Sequence, residues 1–411
     1  MKIMMLKAYF EPEKAASLYL TNNLIEDLAL AKYKIDVYTP IPTRGISDEV
    51  RKEYKSKNYE EKYDGRVKIY RFPMFSEGRN PLIRAIRYIC CSFIYLAKGL
   101  FAKDMDLIFV GSTPPIMGLV GAIIKKFKKV PMIYNLQDIF PDSLVSTGLT
   151  SKKSLLWKIG RIIENITYKS ADKIIVISED FSNNIMLKGV PKEKIEVVYN
   201  WVDEKAVIPI KRKNNILFDK YDLDRNHFYV VYAGNLGHAQ NIEVILEAAK
   251  EVSIQQKDIK FLIFGNGKQE DYYKGMLKSM GLKNTYIYPL QAYSLVSNVY
   301  SMGDVSIVSC KEGLGKSAMP SKSWSIMSAG TALIANFDEG TELQNIIEDN
   351  NIGIFTKAGD VDGLVSAILK LYKNENLRFQ MGKNGRRFIV EHLSRKNSTK
   401  KIRDIIKSTG G

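Results

Sequence analysis

Lys322 lies in the stretch Met319-Pro320-Ser321-Lys322-Ser323-Trp324-Ser325-Ile326-Met327-Ser328-Ala329-Gly330. Pro320 and Ser321 predict a helix start there, with Ser321 as the N-cap. A lysine in the first turn opposes the helix dipole, which favours negative charge at that end. An anionic ligand resolves the conflict: backbone N–H groups and the ammonium grip the same diphosphate. A solvent-facing lysine is the competing reading. Two more stretches suit a phosphate. Gly234, Asn235, Leu236 and Gly237 end one apolar strand, and Gly265 and Gly267 end the next. Small residues there let backbone N–H groups approach a ligand, with a helix from about Asn241 turning its positive end toward it. Either loop alone also suits a simple turn.

The elements that must position these residues alternate. Strands are expected at Ile3–Leu6, Ile35–Thr39, Val67–Arg71, Leu107–Val110, Met132–Asn135, Lys173–Ile177 and Glu196–Tyr199. Helical patterns such as Ala15–Leu30, Leu82–Leu100, Met117–Lys128 and Leu155–Tyr168 fall between them. After a polar stretch, Lys205 to Lys220, a second series begins: Tyr229–Tyr232, Lys260–Phe264, Thr285–Tyr288, Val305–Val308, Ala332–Ala335 and Gly353–Phe355. Strand-then-helix alternation predicts parallel sheets covered on both faces. The fold class is therefore α/β, with two doubly wound Rossmann-like units and ligands at the carboxyl ends of the strands.

A chain of 411 residues exceeds one comfortable core. Its formal net charge of +16 suits a polyanionic partner, whether nucleic acid, anionic lipid or a phosphorylated substrate, or reflects a generally basic composition. Aromatic residues are not interleaved with Lys and Arg in a nucleic-acid-binding pattern, so no nucleic acid is expected. Cys90, Cys91 and Cys310 make neither a disulfide framework nor a zinc module, which points to a reducing cytosol. The start, Met1 to Phe10, reads as a buried strand rather than a signal peptide. No apolar run reaches the ~20 residues that span a bilayer. The segment Leu82–Ala102, with Arg84, Arg87 and a run from Tyr88 to Ala97, could lie on an anionic membrane with Lys125, Lys126, Lys128 and Lys129. A core helix with snorkelling basic ends fits equally. Three Asp-x-Asp triplets, Asp104–Asp106, Asp222–Asp224 and Asp360–Asp362, lack surrounding oxygen ligands, and the last reads as a helix cap. No metal is expected.

Pro-Ser-Lys opening a helix that ends in Ser-Ala-Gly, then a buried strand, resembles the donor-site helix of the GT-B glycosyltransferases, family 4. Tyr199-Asn200-Trp201-Val202-Asp203 resembles that family's hinge, and Gln137-Asp138-Ile139-Phe140-Pro141-Asp142-Ser143 its acceptor-side loop. Tyr9-Phe10-Glu11-Pro12-Glu13 resembles the stretch after its first strand. Within the family the chain is most similar to transferases of O-antigen and capsule assembly, including the L-fucosamine transferases. The resemblance implies an acceptor-binding domain over 1–204, a nucleotide-sugar domain over 205–390, and a helix over 391–411 crossing back to the first. It implies retaining, metal-independent transfer of an N-acetylhexosamine or 6-deoxy relative, without a cofactor, from a UDP-sugar to a lipid-linked or oligosaccharide acceptor. The setting would be cytoplasmic, on the inner face of the membrane. A UDP-sugar epimerase of the same fold is the alternative.

The family pattern is incomplete here. Its two glutamates fall on Ser317 and Ser325, and the Arg and Lys that hold the diphosphate correspond to Asn235 and Gln240. Lys322 is left as the principal phosphate cation, and Glu342 is the candidate replacement for the missing carboxylate, or a first-turn residue favoured by the dipole. The implied donor set is Gly234, Asn235, Leu236, Gly237, Gly265, Gly267, Leu290, Ser321, Lys322, Ser325 and Glu342. Tyr9, Glu13, Gln137 and Asp138 would meet the acceptor, with Asp138 orienting or deprotonating its hydroxyl.

Overall fold

The computed structural model describes residues 1–13, 18–76, 81–146, 148, 150–317 and 319–411. The start of the expected helix Ala15–Leu30 lies outside the described residues, and the helix is seen over Leu18–Leu30. Two compact units make up the chain: Met1–Tyr199 together with Ser398–Gly411, and Asn200–Asn397.

The first unit is built on β1 (Lys2–Leu6), β2 (Lys34–Pro40), β3 (Tyr59–Lys62), β4 (Val67–Phe72), β5 (Leu107–Gly111), β6 (Met132–Leu136), β7 (Lys173–Val176) and β8 (Ile195–Val197). They form one sheet in the order β3-β4-β2-β1-β5-β6-β7-β8. The strands are short apolar runs because both faces are covered; Ile3, Met5, Val37, Ile69 and Phe109 are fully buried. Each such side chain stabilises the fold by about 1.5–3 kcal/mol. One expectation needs correction. The sheet is not wholly parallel, since β3 runs antiparallel to β4 at its edge. Its sequence, Tyr-Glu-Glu-Lys, carries no apolar run because an edge strand faces water.

The second unit holds β9 (Phe228–Asn235), β10 (Ile259–Asn266), β11 (Thr285–Tyr288), β12 (Val305–Ser309), β13 (Ala332–Phe337) and β14 (Gly353–Lys357), in the order β11-β10-β9-β12-β13-β14. Its pairings are all parallel. In both sheets the chain runs outward one way, returns to the centre, and runs out the other way. The switch points fall between β1 and β5, and between β9 and β12. Ligands bind outside the carboxyl ends of strands at such points. The β9–β12 pair is short: Val230 and Val231 meet Val305 and Ser306, and β9 then runs on beside β10 to Asn235.

The last helix, Arg395–Gly410, begins in the second unit and counts with the first from Ser398 on. Within the first unit Thr399 Oγ1 donates to Asp27 and Lys401 Nζ to the Val197 carbonyl. In the second unit Arg386 donates to the carbonyls of Glu204, Val207 and Ser328, which ties the segment after Trp201 to the end of the helix Lys322–Ser328.

Candidate functional site

At the switch point of the second sheet, the Lys322 side chain meets β9. Its Nζ donates to the Tyr232 hydroxyl at 2.9 Å and stands 4.4 Å from the centre of that ring. Gly234, two residues on, has φ +154°, and a Cβ there would come within 3.2 Å of the same Nζ. Only a residue without a side chain leaves this approach open. Burial lowers the Lys322 ammonium to about 8, with Cys310 opposing the shift, and no described carboxylate pairs with it. The Cys310 thiol is pushed up to about 12 by burial, so it stays protonated. Among the described residues, this half-buried cation has a hydroxyl and a ring face as its partners, which leaves its charge only partly compensated.

The helix that carries Lys322 departs from expectation. It covers Lys322–Ser328, a little under two turns, and Ser321 at its N-cap is itself helical, with no side-chain cap hydrogen bond. Ser321 therefore does not cap. Its φ and ψ already belong to the helix, so the hydroxyl is not aimed back at the first-turn N–H groups. Ser321 is exposed and Ser325, a turn later, is half-buried.

The glycine loops pack on one another. A Cβ on Gly265 would fall 2.5 Å from the Gly234 carbonyl, and one on Gly267 would fall 2.3 Å from that of Leu236. Leu236 is fully buried, and its N–H donates to the Asn266 carbonyl. Close contact between the two loops thus accounts for Gly265 and Gly267 by itself. Asn235 donates from Nδ2 to Gln240 Oε1 at 3.4 Å, so two neutral amides pair at the positions where the resemblance implies cations. Gly237 precedes a 3₁₀ turn, His238–Gln240, and Asn241 enters the helix Ile242–Gln255 in the left-handed region without capping it. Leu290 is exposed just past β11. Glu342 opens the helix Glu342–Asp349 and is buried.

Sequence reasoning missed Asp338. Its two carboxylate oxygens accept the N–H groups of Gly313 and Gly315 at 3.0 and 2.7 Å, fixing the loop between β12 and Lys322. Tyr232 was also missed, although a polar-tipped ring in the last aliphatic positions before a Gly turn was a usable signal.

In the first unit, Asp138 and Gln137 follow β6. The Ser112 hydroxyl, just past β5, accepts from both of their backbone N–H groups, at 3.2 and 2.9 Å. Ser112 is another residue that sequence reading passed over. Crowding by protein raises the Asp138 carboxyl pKa, and the Ser143 hydroxyl, donating at 3.2 Å, lowers it. Gln137 Nε2 donates to Asn135. Tyr9 shares a 2.9 Å hydrogen bond with the Tyr88 hydroxyl and lies under the Arg44 guanidinium. Glu13 is placed differently from the expected acceptor ligand. It is buried, and its carboxylate accepts the N–H groups of Phe10, Thr43 and Arg44. It joins the loop after β1 to the loop after β2. Of the Asp-x-Asp triplets, Asp360 caps its helix by accepting from Gly363 N–H. Among the described residues no group of three or more His, Cys, Asp or Glu is placed to hold a metal ion.

Known families match both units of the chain. The family model "Glycosyltransferase Family 4" matches residues 20–206, and "Glycosyl transferases group 1" matches residues 213–388. A protein of Escherichia coli (strain K12) named as a colanic acid biosynthesis glycosyl transferase, WcaI, is 23% identical over 90% of this chain and 91% of its own. The capsular polysaccharide biosynthesis glycosyltransferase CapM of Staphylococcus aureus is 22% identical over 72% and 75%. Among solved structures, Anabaena HepE in complex with UDP and glucose superposes with a TM-score of 0.73 at 14% identity, covering 99% of this chain and 100% of that one. Two Rossmann-like units, the two matched models and these relatives agree: the chain is a glycosyltransferase of the GT-B fold and belongs to family 4.

Proposed function

We propose that the chain transfers an N-acetylated hexosamine, or its 6-deoxy relative, from a UDP-sugar to a lipid-linked glycan acceptor in bacterial surface polysaccharide synthesis. The setting is supported by relatives named for colanic acid and capsular polysaccharide biosynthesis, and the donor class by a structural neighbour bound to UDP. The family match favours transfer over epimerisation.

The observation that carries the donor reading is Lys322, a half-buried ammonium with no carboxylate partner among the described residues, held by Tyr232 beside the open backbone of Gly234. As the anomeric C–O bond breaks, positive charge grows on the sugar and negative charge on the departing diphosphate. A fixed, half-buried ammonium stabilises that leaving group more in the transition state than in the ground state. Backbone N–H groups near Gly234–Gly237 add to it, and Ser321, Ser325, Leu290 and Glu342 contact the rest of the donor. On the acceptor side Asp138 orients the attacking hydroxyl and takes its proton; its raised pKa makes it the better base. Gln137 and Tyr9 line the acceptor, and Glu13 shapes the loop that carries Tyr9. The anomeric configuration is retained, and neither metal nor cofactor enters. Calorimetry of UDP with wild type and Lys322→Ala tests the reading. Equal affinities would overturn it. A thermal-shift screen of nucleotide sugars then identifies the donor, since a ligand of the folded state raises its stability.

A further inference from the structure

Three neighbouring helices of the first unit turn apolar side chains outward. In Pro81–Phe101 the residues Leu82, Ile86, Ile89 and Phe93 are spaced four, three and four apart, and all are exposed, Leu82 by 73%. In Leu155–Ser170 the same spacing recurs in Leu155, Ile159, Ile162 and Ile166, with Leu155 exposed by 72%. That spacing is one face of a helix. Met117–Lys128 lies between the two. Its Gly118 abuts Thr167 on one side, its Ile124 abuts Gly99 on the other, and Phe127 is exposed by 68%. The expected membrane role of Lys125 and Lys128 needs correction here. Lys125 Nζ binds the Ser170 carbonyl and Asp172, while Lys128 Nζ binds the Ala102 carbonyl, so both fasten helix ends together. Beside Phe93 and Phe101 a groove of about 590 Å³ reaches Tyr38 and Tyr70, carrying the apolar surface toward the sheet edge.

Scattered exposed aliphatics need no explanation, but two such stripes on helices that flank a third do. We propose that this three-helix face docks on an anionic lipid bilayer. Charge selects that occupant. The three helices contain one acidic residue, Glu164, which is buried and paired with Arg161 and Lys188. Lys98, Lys126, Lys158 and Lys169 are exposed on them, with Lys129 just beyond. A second copy docked symmetrically on the same face would bring like charges together. An anionic headgroup layer pairs with them while the acyl region takes the leucines, isoleucines and phenylalanines. No helix among the described residues is long and apolar enough to cross a membrane, so docking is on the surface.

The surface is separate from the donor chemistry, and the test keeps the two apart. The full chain is floated with vesicles of phosphatidylcholine alone or mixed with phosphatidylglycerol, at low and high salt. Wild type is expected to float with the mixed vesicles at low salt and to lose binding with salt or without the anionic lipid. Combined Ile86→Gln, Phe93→Gln, Ile159→Gln and Ile162→Gln should weaken flotation at least about tenfold while UDP affinity stays unchanged. Lys126→Gln with Lys129→Gln and Lys158→Gln, all at exposed positions, should weaken it only for the anionic vesicles. Absent flotation of wild type, or equal flotation of the variants, would overturn the proposal. So would a wild-type dimer in sedimentation that the fourfold variant abolishes, with no vesicle binding by either.

Discussion

The Lys322 ammonium donates to the Tyr232 hydroxyl at 2.9 Å across 90 residues of sequence, and lies over the same ring. Desolvation disfavours the charged lysine, while the hydroxyl oxygen and the ring face offer it partial compensation. The cation is therefore held in one place before any diphosphate arrives.

Removing either partner should have distinct effects. Lys322→Ala is expected to lower UDP affinity roughly ten- to a hundredfold, as for a lost charge-assisted hydrogen bond, and turnover by more. Tyr232→Phe keeps the ring and loses the anchor, so turnover should fall with little change in melting temperature. Calorimetry and steady-state rates check both.

The pH dependence has a definite sign. Burial brings Lys322 to about 8 from an ordinary 10.5. Between those values the unfolded chain keeps a proton that the folded chain has released, so this group favours folding more as pH rises through that window. UDP binding runs the other way. It needs the ammonium, and affinity should fall about tenfold per pH unit above 8 until the complex itself titrates. Lys322→Arg stays charged, so its UDP affinity should be flat over the same range.

On the acceptor side, Asp138→Asn should reduce turnover by about a hundredfold or more and leave UDP binding unchanged. Ser112→Ala removes the acceptor shared by two backbone N–H groups, at Gln137 and Asp138. Unfolding titrations should show a loss of about 1–3 kcal/mol, with slower turnover as the loop loosens.

Gly267→Ala tests the loop packing, because its Cβ would meet the Leu236 carbonyl at 2.3 Å. A stability loss of roughly 1–3 kcal/mol is expected, as for other overpacked sites. A variant as stable as wild type would show that the β9 and β10 loops are not locked together.

Most strands of both sheets were legible in the sequence because each is a short apolar run buried on both faces, as in Leu107–Gly111; the edge strand Thr285–Tyr288 matched to the residue although only Thr285 is buried. Extensions such as Gly234-Asn235 on β9 were not legible, since backbone pairing with β10 carries them past the apolar run. The edge strand Tyr59–Lys62 escaped for the opposite reason, having backbone pairing and no buried face.

By itself the sequence determined that two α/β units follow one another, and that Lys322 opens a helix at the end of a loop; periodicity and helix-start chemistry are local properties. Tertiary structure decided which charges are available. Glu13 became the anchor for two loops, Lys125 and Lys128 became helix fasteners, and Ser321 ceased to cap. Only Lys322 among the expected donor residues carries a charge with no carboxylate partner described. Whether a side chain is engaged depends on neighbours brought in from distant parts of the chain, and spacing along the sequence holds no record of them.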